Sequence, residues 1–179
     1  SGFHDDSRDE ANQIFFSALL QHGKGKRLNL KNITLTLKSR KSLDEILSSN
    51  VDLQSLNLCN ISCDDRSRCL PGSLFSKTNI QELRIEKCNI DSEAASAIGK
   101  QSESGSLRSL KLISVNLGGD VRDVLNGIAS GSLCHLELCQ SRIEQKHLSF
   151  ALHSLSTNTK LESLYLDDCA IGSRNADDL

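Results

Sequence analysis

Side chains able to hold a metal or to act as nucleophiles, acids or bases are spread along this chain, and their spacing limits the chemistry open to them. The tightest grouping is Cys134, His135 and Cys139. On one extended strand, residues five apart lie about 16 Å from each other, well beyond the separation of ligands around a single tetrahedral zinc. His147 and His153 are six residues apart in a segment of helical periodicity, on different faces. Asp167 and Asp168 adjoin Cys169 with no histidine nearby in the same segment, and adjacent carboxylates at a strand end are ordinarily solvated. No GxSxG, HExxH or phosphate-binding glycine loop occurs, and Gly118-Gly119-Asp120 has the composition of a turn before a helix. Neither catalysis, nor a metal site, nor a cofactor is expected.

The elements that position these residues follow from composition and period. The chain has 179 residues, a formal charge of -2, 37% hydrophobic residues and only 3% aromatics, with no Trp, no Met and one Pro. A near-neutral balance excludes a strongly basic nucleic-acid module and names no partner. A core without large aromatic side chains points to many small, equivalent layers in place of one large one. Seven cysteines, an odd number without CxxC pairs, are expected to be reduced, in the cytoplasm or the nucleus. No apolar run spans a membrane. The triplets Asn32-Ile33-Thr34 and Asn60-Ile61-Ser62 match the glycosylation pattern, but with free thiols they are expected to stay unmodified.

Self-similarity is plain from residue 53 onward. Leu53-Gln-Ser-Leu56-Asn-Leu58, Ile80-Gln-Glu-Leu83-Arg-Ile85, Leu107-Arg-Ser-Leu110-Lys-Leu112, Leu133-Cys-His-Leu136-Glu-Leu138 and Leu161-Glu-Ser-Leu164-Tyr-Leu166 share the frame LxxLxL and start 27, 27, 26 and 28 residues apart. Gly25-Lys-Arg-Leu28-Asn-Leu30 is a degenerate copy at the front. Position nine of the frame carries Ile61, Cys88, Val115, Ser141 and Cys169, and position eleven carries Cys63, Ile90, Leu117, Ile143 and Ile171. Leucines at positions four and six alternating with polar residues predict a short strand with one buried face. Between strands the period becomes helical, through Leu43, Ile46 and Leu47, through Val121, Val124, Leu125 and Ile128, and through Leu148, Ala151, Leu152 and Leu155. Ser42 with Glu45, and Asp120 with Asp123, are placed to open helices. Pro71 predicts a loop and a short turn between Asp64 and Thr78. Ser7 with Glu10 opens an N-terminal helix whose Ile14, Phe15, Leu19 and Leu20 are expected to cover the first repeat.

These frames resemble the leucine-rich repeat family, and the period with Cys or an apolar residue at position nine is similar to its ribonuclease-inhibitor-like subclass. Ile61, Val115 and Ser141 depart from the Cys or Asn of the family pattern. The resemblance implies an α/β solenoid, a right-handed β-α superhelix with short parallel strands on the concave face and helices on the convex face. The expected organisation is a capping helix over residues 1–24 and about six repeats over 25–179, the last one cut short, in a fragment of a larger protein. The resemblance also implies protein partners and no catalysis. Beside a scaffold or recognition module, two readings stay open: a regulatory, autoinhibitory or sensing segment of a nucleotide-binding immune receptor-like protein, or the repeat domain of a Tonsoku-like nuclear replication-repair scaffold. Direct nucleic-acid or membrane binding is not expected, and the isolated fragment is expected to be a monomer.

In this architecture positions two, three, five, seven and eight form the inner face. The expected partner-binding residues are Asn57, Arg84, Glu86, Arg108, Lys111, Ile113, Glu137, Glu162, Tyr165 and Asp167. Lys26, Arg27, Lys31, Arg84, Arg108 and Lys111 make the front basic, whereas Glu137, Glu162, Asp167 and Asp168 make the back acidic, with Glu82 and Glu86 between. A partner segment is expected to place its acidic end over Arg84, Arg108 and Lys111 and its basic end over Glu137, Glu162 and Asp167, with Ile113 and Tyr165 as anchors. The frame itself is tested by stability: Leu110→Ala is expected to cost about 2–5 kcal/mol and Lys111→Ala no more than about 0.5 kcal/mol. Equal costs in urea melts would show that the frame is misassigned.

Overall fold

The computed structural model describes residues 5–22, 25–64, 70–76, 80–115, 121–130, 132–141 and 145–169. In chain order the elements are α1 (Asp5–His22), β1 (Arg27–Leu35), α2 (Leu37–Ser49), β2 (Ser55–Cys63), α3 (Ser73–Ser76), β3 (Glu82–Glu86), α4 (Ser92–Ser104), β4 (Ser109–Ile113), α5 (Val121–Ser130), β5 (His135–Cys139), α6 (Gln145–Thr157) and β6 (Ser163–Asp167). The six strands form one sheet in sequential order, every pair parallel. Position-four residues Leu28, Leu56, Leu83, Leu110, Leu136 and Leu164 stand side by side across it. The α/β solenoid expected from the frame is the fold observed, and the degenerate first copy is a full member of the sheet. β1 and β2 run for nine residues, longer than the short strands expected, because Ile33, Leu35, Ile61 and Cys63 continue the pairing past position eight.

One backbone feature shapes every repeat. Position eight, occupied by Asn32, Asn60, Lys87, Ser114, Gln140 and Asp168, is left-handed throughout, with φ between 49° and 58°. In an unbroken strand positions seven and nine would share a face. The left-handed residue breaks that alternation, so position eight faces outward and position nine turns in, where Ile61, Cys88, Val115, Ser141 and Cys169 are all at most 4% exposed. A non-glycine residue in this conformation costs about 1–2 kcal/mol, which hydrogen bonds to the neighbouring repeat offset. The position-eight N–H of Lys87, Ser114 and Gln140 donates to the carbonyl of Ile113, Cys139 and Asp167 at 2.8–2.9 Å. Ser141 Oγ donates within reach of the Leu112 and Cys139 carbonyls, each at 3.1 Å, and accepts from the Val115 N–H at 3.4 Å. Cys88 makes the same set to Leu58, Glu86 and Ile61. Ser141 is thus a working equivalent of cysteine at this position and not a defect.

Two departures from the sequence reading lie in the outer layer and one in the sheet. α2 opens at Thr36, whose side chain accepts from the Ser39 N–H while Ser39 Oγ accepts from the Thr36 N–H, forming the capping box. Ser42 lies inside the helix, its hydroxyl donating to the Lys38 carbonyl at 3.4 Å, so it caps nothing. In α1, Phe16 is the fully buried residue, while Ile14 and Phe15 are 66% and 45% exposed. Asn12 ties α1 to the sheet by donating to the Thr34 carbonyl at 3.0 Å. Leu164 of β6, at a position expected to be buried, is 45% exposed. The turn expected at Pro71 is the four-residue α3. Residues Ser7, Leu20, Leu117, Asp120, Ile143, His147, Leu148, Ala151, Leu152 and Ile171, named from the sequence, have side chains outside the described set.

α4 and α5 meet through glycine. A Cβ built on Gly127 would fall on the Gly99 carbonyl, 2.6 Å from Gly99 Cα, and one on Gly99 would meet the Asp123 carbonyl carbon at 2.9 Å. Helix-interior Gly→Ala ordinarily stabilises by about 0.8–1 kcal/mol. Here the added methyl must push two helices apart, so Gly127→Ala and Gly99→Ala are each expected to destabilise by about 1–3 kcal/mol. Thermal or urea melts check the sign, and a gain in stability would refute the close approach.

Candidate interaction face of the sheet

The sheet's second face, away from the helices, is built from the polar positions of the frame. Pairing register fixes two straight rows. Position five runs Asn29, Asn57, Arg84, Lys111, Glu137, Tyr165, and position seven runs Lys31, Cys59, Glu86, Ile113, Cys139, Asp167. Neighbours in a row are about 4.8 Å apart, and eight of the ten residues picked out from the sequence stand in these two rows, whereas Arg108 and Glu162 are exposed at position two, just ahead of β4 and β6. Tyr165 is 56% exposed. Ile113 is half-buried and Cys139 is buried, so the apolar surface offered at position seven is smaller than the types alone imply.

The charges are arranged differently from a simple front-to-back gradient. Arg84 donates to Glu86, two residues on along the same strand, at 2.8 Å. Lys111 donates to Glu137, its neighbour on the next strand, at 2.7 Å. The Arg84 hydrogen bond holds the Glu86 carboxyl below its ordinary pKa, and the Lys111 bond does the same for Glu137. Burial pushes the Cys139 thiol up, and the Glu137 carboxylate 3.6 Å away adds to this. Burial likewise raises the thiols of Cys88 and Cys169. The centre of the face is therefore neutralised from within. Among the described residues Lys26, Arg27 and Lys31 at one end, Glu162, Asp167 and Asp168 at the other, and Arg108 and Glu82 between make no ion pair.

A recess of about 340 Å³ opens over β1–β4, floored by Leu56 and Leu83 and walled by Asn29, Ser55, Asn57, Glu82, Arg84, Ser109 and Lys111. The Asn57 side-chain carbonyl oxygen is buried there without a hydrogen-bond partner. Ser55, Glu82 and Ser109 come from position three, which the sequence places on this face, although no residue of it stands among the expected binders. Position eight adds cross-repeat bonds, Asn60 donating to Asn32 at 2.9 Å and Ser114 pairing with Gln140 at 2.8 Å. On the helix side a larger groove of about 650 Å³ lies between α3 and α4, lined chiefly by serines with Glu93 and Lys100. Among the described residues no three His, Cys, Asp or Glu side chains converge, and Cys59, Cys88, Cys134, Cys139 and Cys169 are free thiols. None of the described helices is long and apolar enough to cross a membrane.

The Lys111–Glu137 pair generates a pH dependence of known sign. Its folded carboxyl titrates below the unfolded one, so its contribution is complete above the unfolded carboxylate range and is lost as pH falls through the lowered folded value. With Lys111 43% exposed the pair is a surface one, contributing about 0.2–1 kcal/mol. A Lys111→Ala/Glu137→Ala double-mutant cycle is expected to give that coupling at neutral pH and to lose it as pH falls through the lowered folded value of Glu137. Coupling that persists in acid would mean the two side chains communicate by packing and not by charge.

Comparison with known proteins agrees with this architecture. A family model described as Leucine Rich repeat matches residues 76–99 and 157–174, the first spanning β3 and the second β6. Among solved structures the chain is similar to one described as "Leiomodin-1 Actin-Binding Site 2 (ABS2)", at 17% identity and a TM-score of 0.55, the match covering 84% of this chain and 88% of that one. No curated protein sequence gives a significant match. Two segments that match a leucine-rich-repeat model, and six parallel strands stacked in sequence with a helix layer behind, give this chain the fold of a leucine-rich-repeat α/β solenoid.

Proposed function

We propose that the chain is a non-catalytic protein-interaction module of a larger intracellular protein, with repeats of the ribonuclease-inhibitor-like subclass, and that it takes a protein segment along the helix-free face of its sheet. One observation carries this reading. Two straight rows of side chains present a neutralised, recessed centre between an unpaired cationic end (Lys26, Arg27, Lys31) and an unpaired anionic end (Glu162, Asp167, Asp168). A segment with an acidic end over β1 and a basic end over β6 meets complementary charge, which sets orientation and association rate more than affinity. Affinity comes from Tyr165, Ile113 and the recess, because desolvated anchors carry most of the energy at such surfaces. Alternation of strand and helix at a 26–28-residue period supports the subclass. The actin-binding site named for the leiomodin structure supports reading this fold as a protein-binding surface.

The face is tested with a partner isolated on the intact chain and then measured by calorimetry at two ionic strengths. Tyr165→Ala and Ile113→Ala are expected to weaken binding about tenfold or more at either salt concentration. Arg108→Glu is expected to weaken it mainly at low salt, and Lys100→Glu, on exposed α4, to leave it unchanged. Loss of binding in the α4 variant with none in the sheet-face variants would place the interface on the helix side.

A further inference from the structure

We propose that the recess over β1–β4 receives an arginine side chain of the partner segment, with Glu82 as the residue that selects it. This rests on the sheet-face reading and adds to it the chemistry of one guest. Pairing register sets Glu82 in a row of its own, between Ser55 on β2 and Ser109 on β4, each about 4.8 Å away. Asn29 and Asn57 stand in the next row, and all five side chains border the recess. Elsewhere polar side chains at matching positions of successive repeats bond to each other, Asn60 to Asn32, Thr34 to Ser62 and Ser114 to Gln140. In the recess they do not. Among the described residues these five side chains make no hydrogen bond or ion pair, and the Asn57 carbonyl oxygen is buried in that state.

Charge decides which guest fits. Two cations also border the recess, but the Arg84 guanidinium is held by Glu86 at 2.8 Å and the Lys111 ammonium by Glu137 at 2.7 Å. A carboxylate entering from a partner must compete with both bonds, whereas the exposed Glu82 carboxylate has no cation of its own among the described residues. The walls therefore carry one uncompensated charge, and it is negative. Around it the acceptors are many: two oxygens on Glu82, a hydroxyl on either side from Ser55 and Ser109, and the amide groups of Asn29 and Asn57. A guanidinium meets a carboxylate with two parallel bonds and keeps further N–H donors for flanking oxygens, more than the three of an ammonium. Its methylene stem suits the floor of Leu56 and Leu83 while the head stays among polar groups. The acidic end expected from the sequence over Arg84 and Lys111 gives way to a cation beside them.

Random peptides displayed on phage and selected on the intact chain test this. Selected peptides whose binding is weakened by Tyr165→Ala are expected to share an arginine. Replacing that arginine by citrulline, which keeps the shape and removes the charge, is expected to weaken binding about tenfold or more, and Glu82→Gln to weaken it as much. The two changes together are expected to cost no more than either alone, because they remove one and the same contact. Circular dichroism melts check that each variant is folded, and Lys100→Glu serves as the unchanged control. Peptides that need Tyr165 but bind the Glu82→Gln variant as tightly as wild type, or that present a carboxylate in place of the arginine, would overturn the proposal and leave the sheet-face reading standing. Peptides indifferent to Tyr165→Ala, Ile113→Ala and Glu82→Gln but lost in Lys100→Glu would overturn both.

Discussion

Each repeat must do two opposed things within nine residues: pair as a strand with both neighbours, and turn its chain toward the helix layer. The left-handed residue at position eight reconciles them. It lets positions five, seven and eight face one way while four, six and nine face the other, and at Lys87, Ser114 and Gln140 its N–H is bonded to the following repeat, so the strained conformation is held there by the neighbour it helps to place. The rest of the molecule depends on this coupling. The rows of the sheet are straight because every repeat exits its strand at the same point, and cysteine or serine is useful at position nine because its side chain reaches backbone groups in both its own and the preceding repeat.

The frame was legible because leucine spacing is a direct projection of which face of a strand is buried. The left-handed ladder had a visible trace, since Asn32, Asn60 and Asp168 are residue types that tolerate that conformation through local side-chain hydrogen bonds, but Lys87 and Gln140 hide it. α4 was not legible as an apolar stripe because its buried face is Ala94, Ala95, Ala97, Ile98 and Gly99. Those small side chains carry little hydrophobic signal, and they are small because the neighbouring helix backbone comes so close at Gly99 and Gly127. Ser42 and Glu45 mimicked a helix start, but Thr36 and Ser39 satisfy the first free N–H groups a turn and a half earlier, so the helix runs through the false signal. Two adjacent phenylalanines could not both face inward from one helix. Sequence offers no means of choosing Phe16 over Phe15, which the structure stacks edge-on against it at 5.3 Å.

The candidate site was legible as a list and not as an arrangement. Eight of the ten expected residues share one face, because strand alternation decides which side positions five and seven occupy, while Arg108 and Glu162 precede their strands and lie outside that alternation. What alternation cannot supply is where long side chains end. Arg84 lies beside Glu82 as well as Glu86 on its own strand, and the guanidinium chooses Glu86. Lys111 lies between Arg84 and Glu137 in the position-five row, where repulsion on one side and attraction on the other leave a single good geometry. These local pairs convert an apparent basic front into a neutral middle, and the field that a partner meets is set by charges at the two ends of the arc.

A solenoid also distributes its stability differently from a globular core. No aromatic cluster holds the middle: the fully buried set is chiefly leucine and isoleucine contributed one layer at a time, so each layer is stabilised by its two neighbours and the end layers by one. Position four is buried in β2 through β5, whereas Leu164 of β6 is 45% exposed. A ligand on the helix-free face spans several strands and so draws on the rigidity of the middle layers.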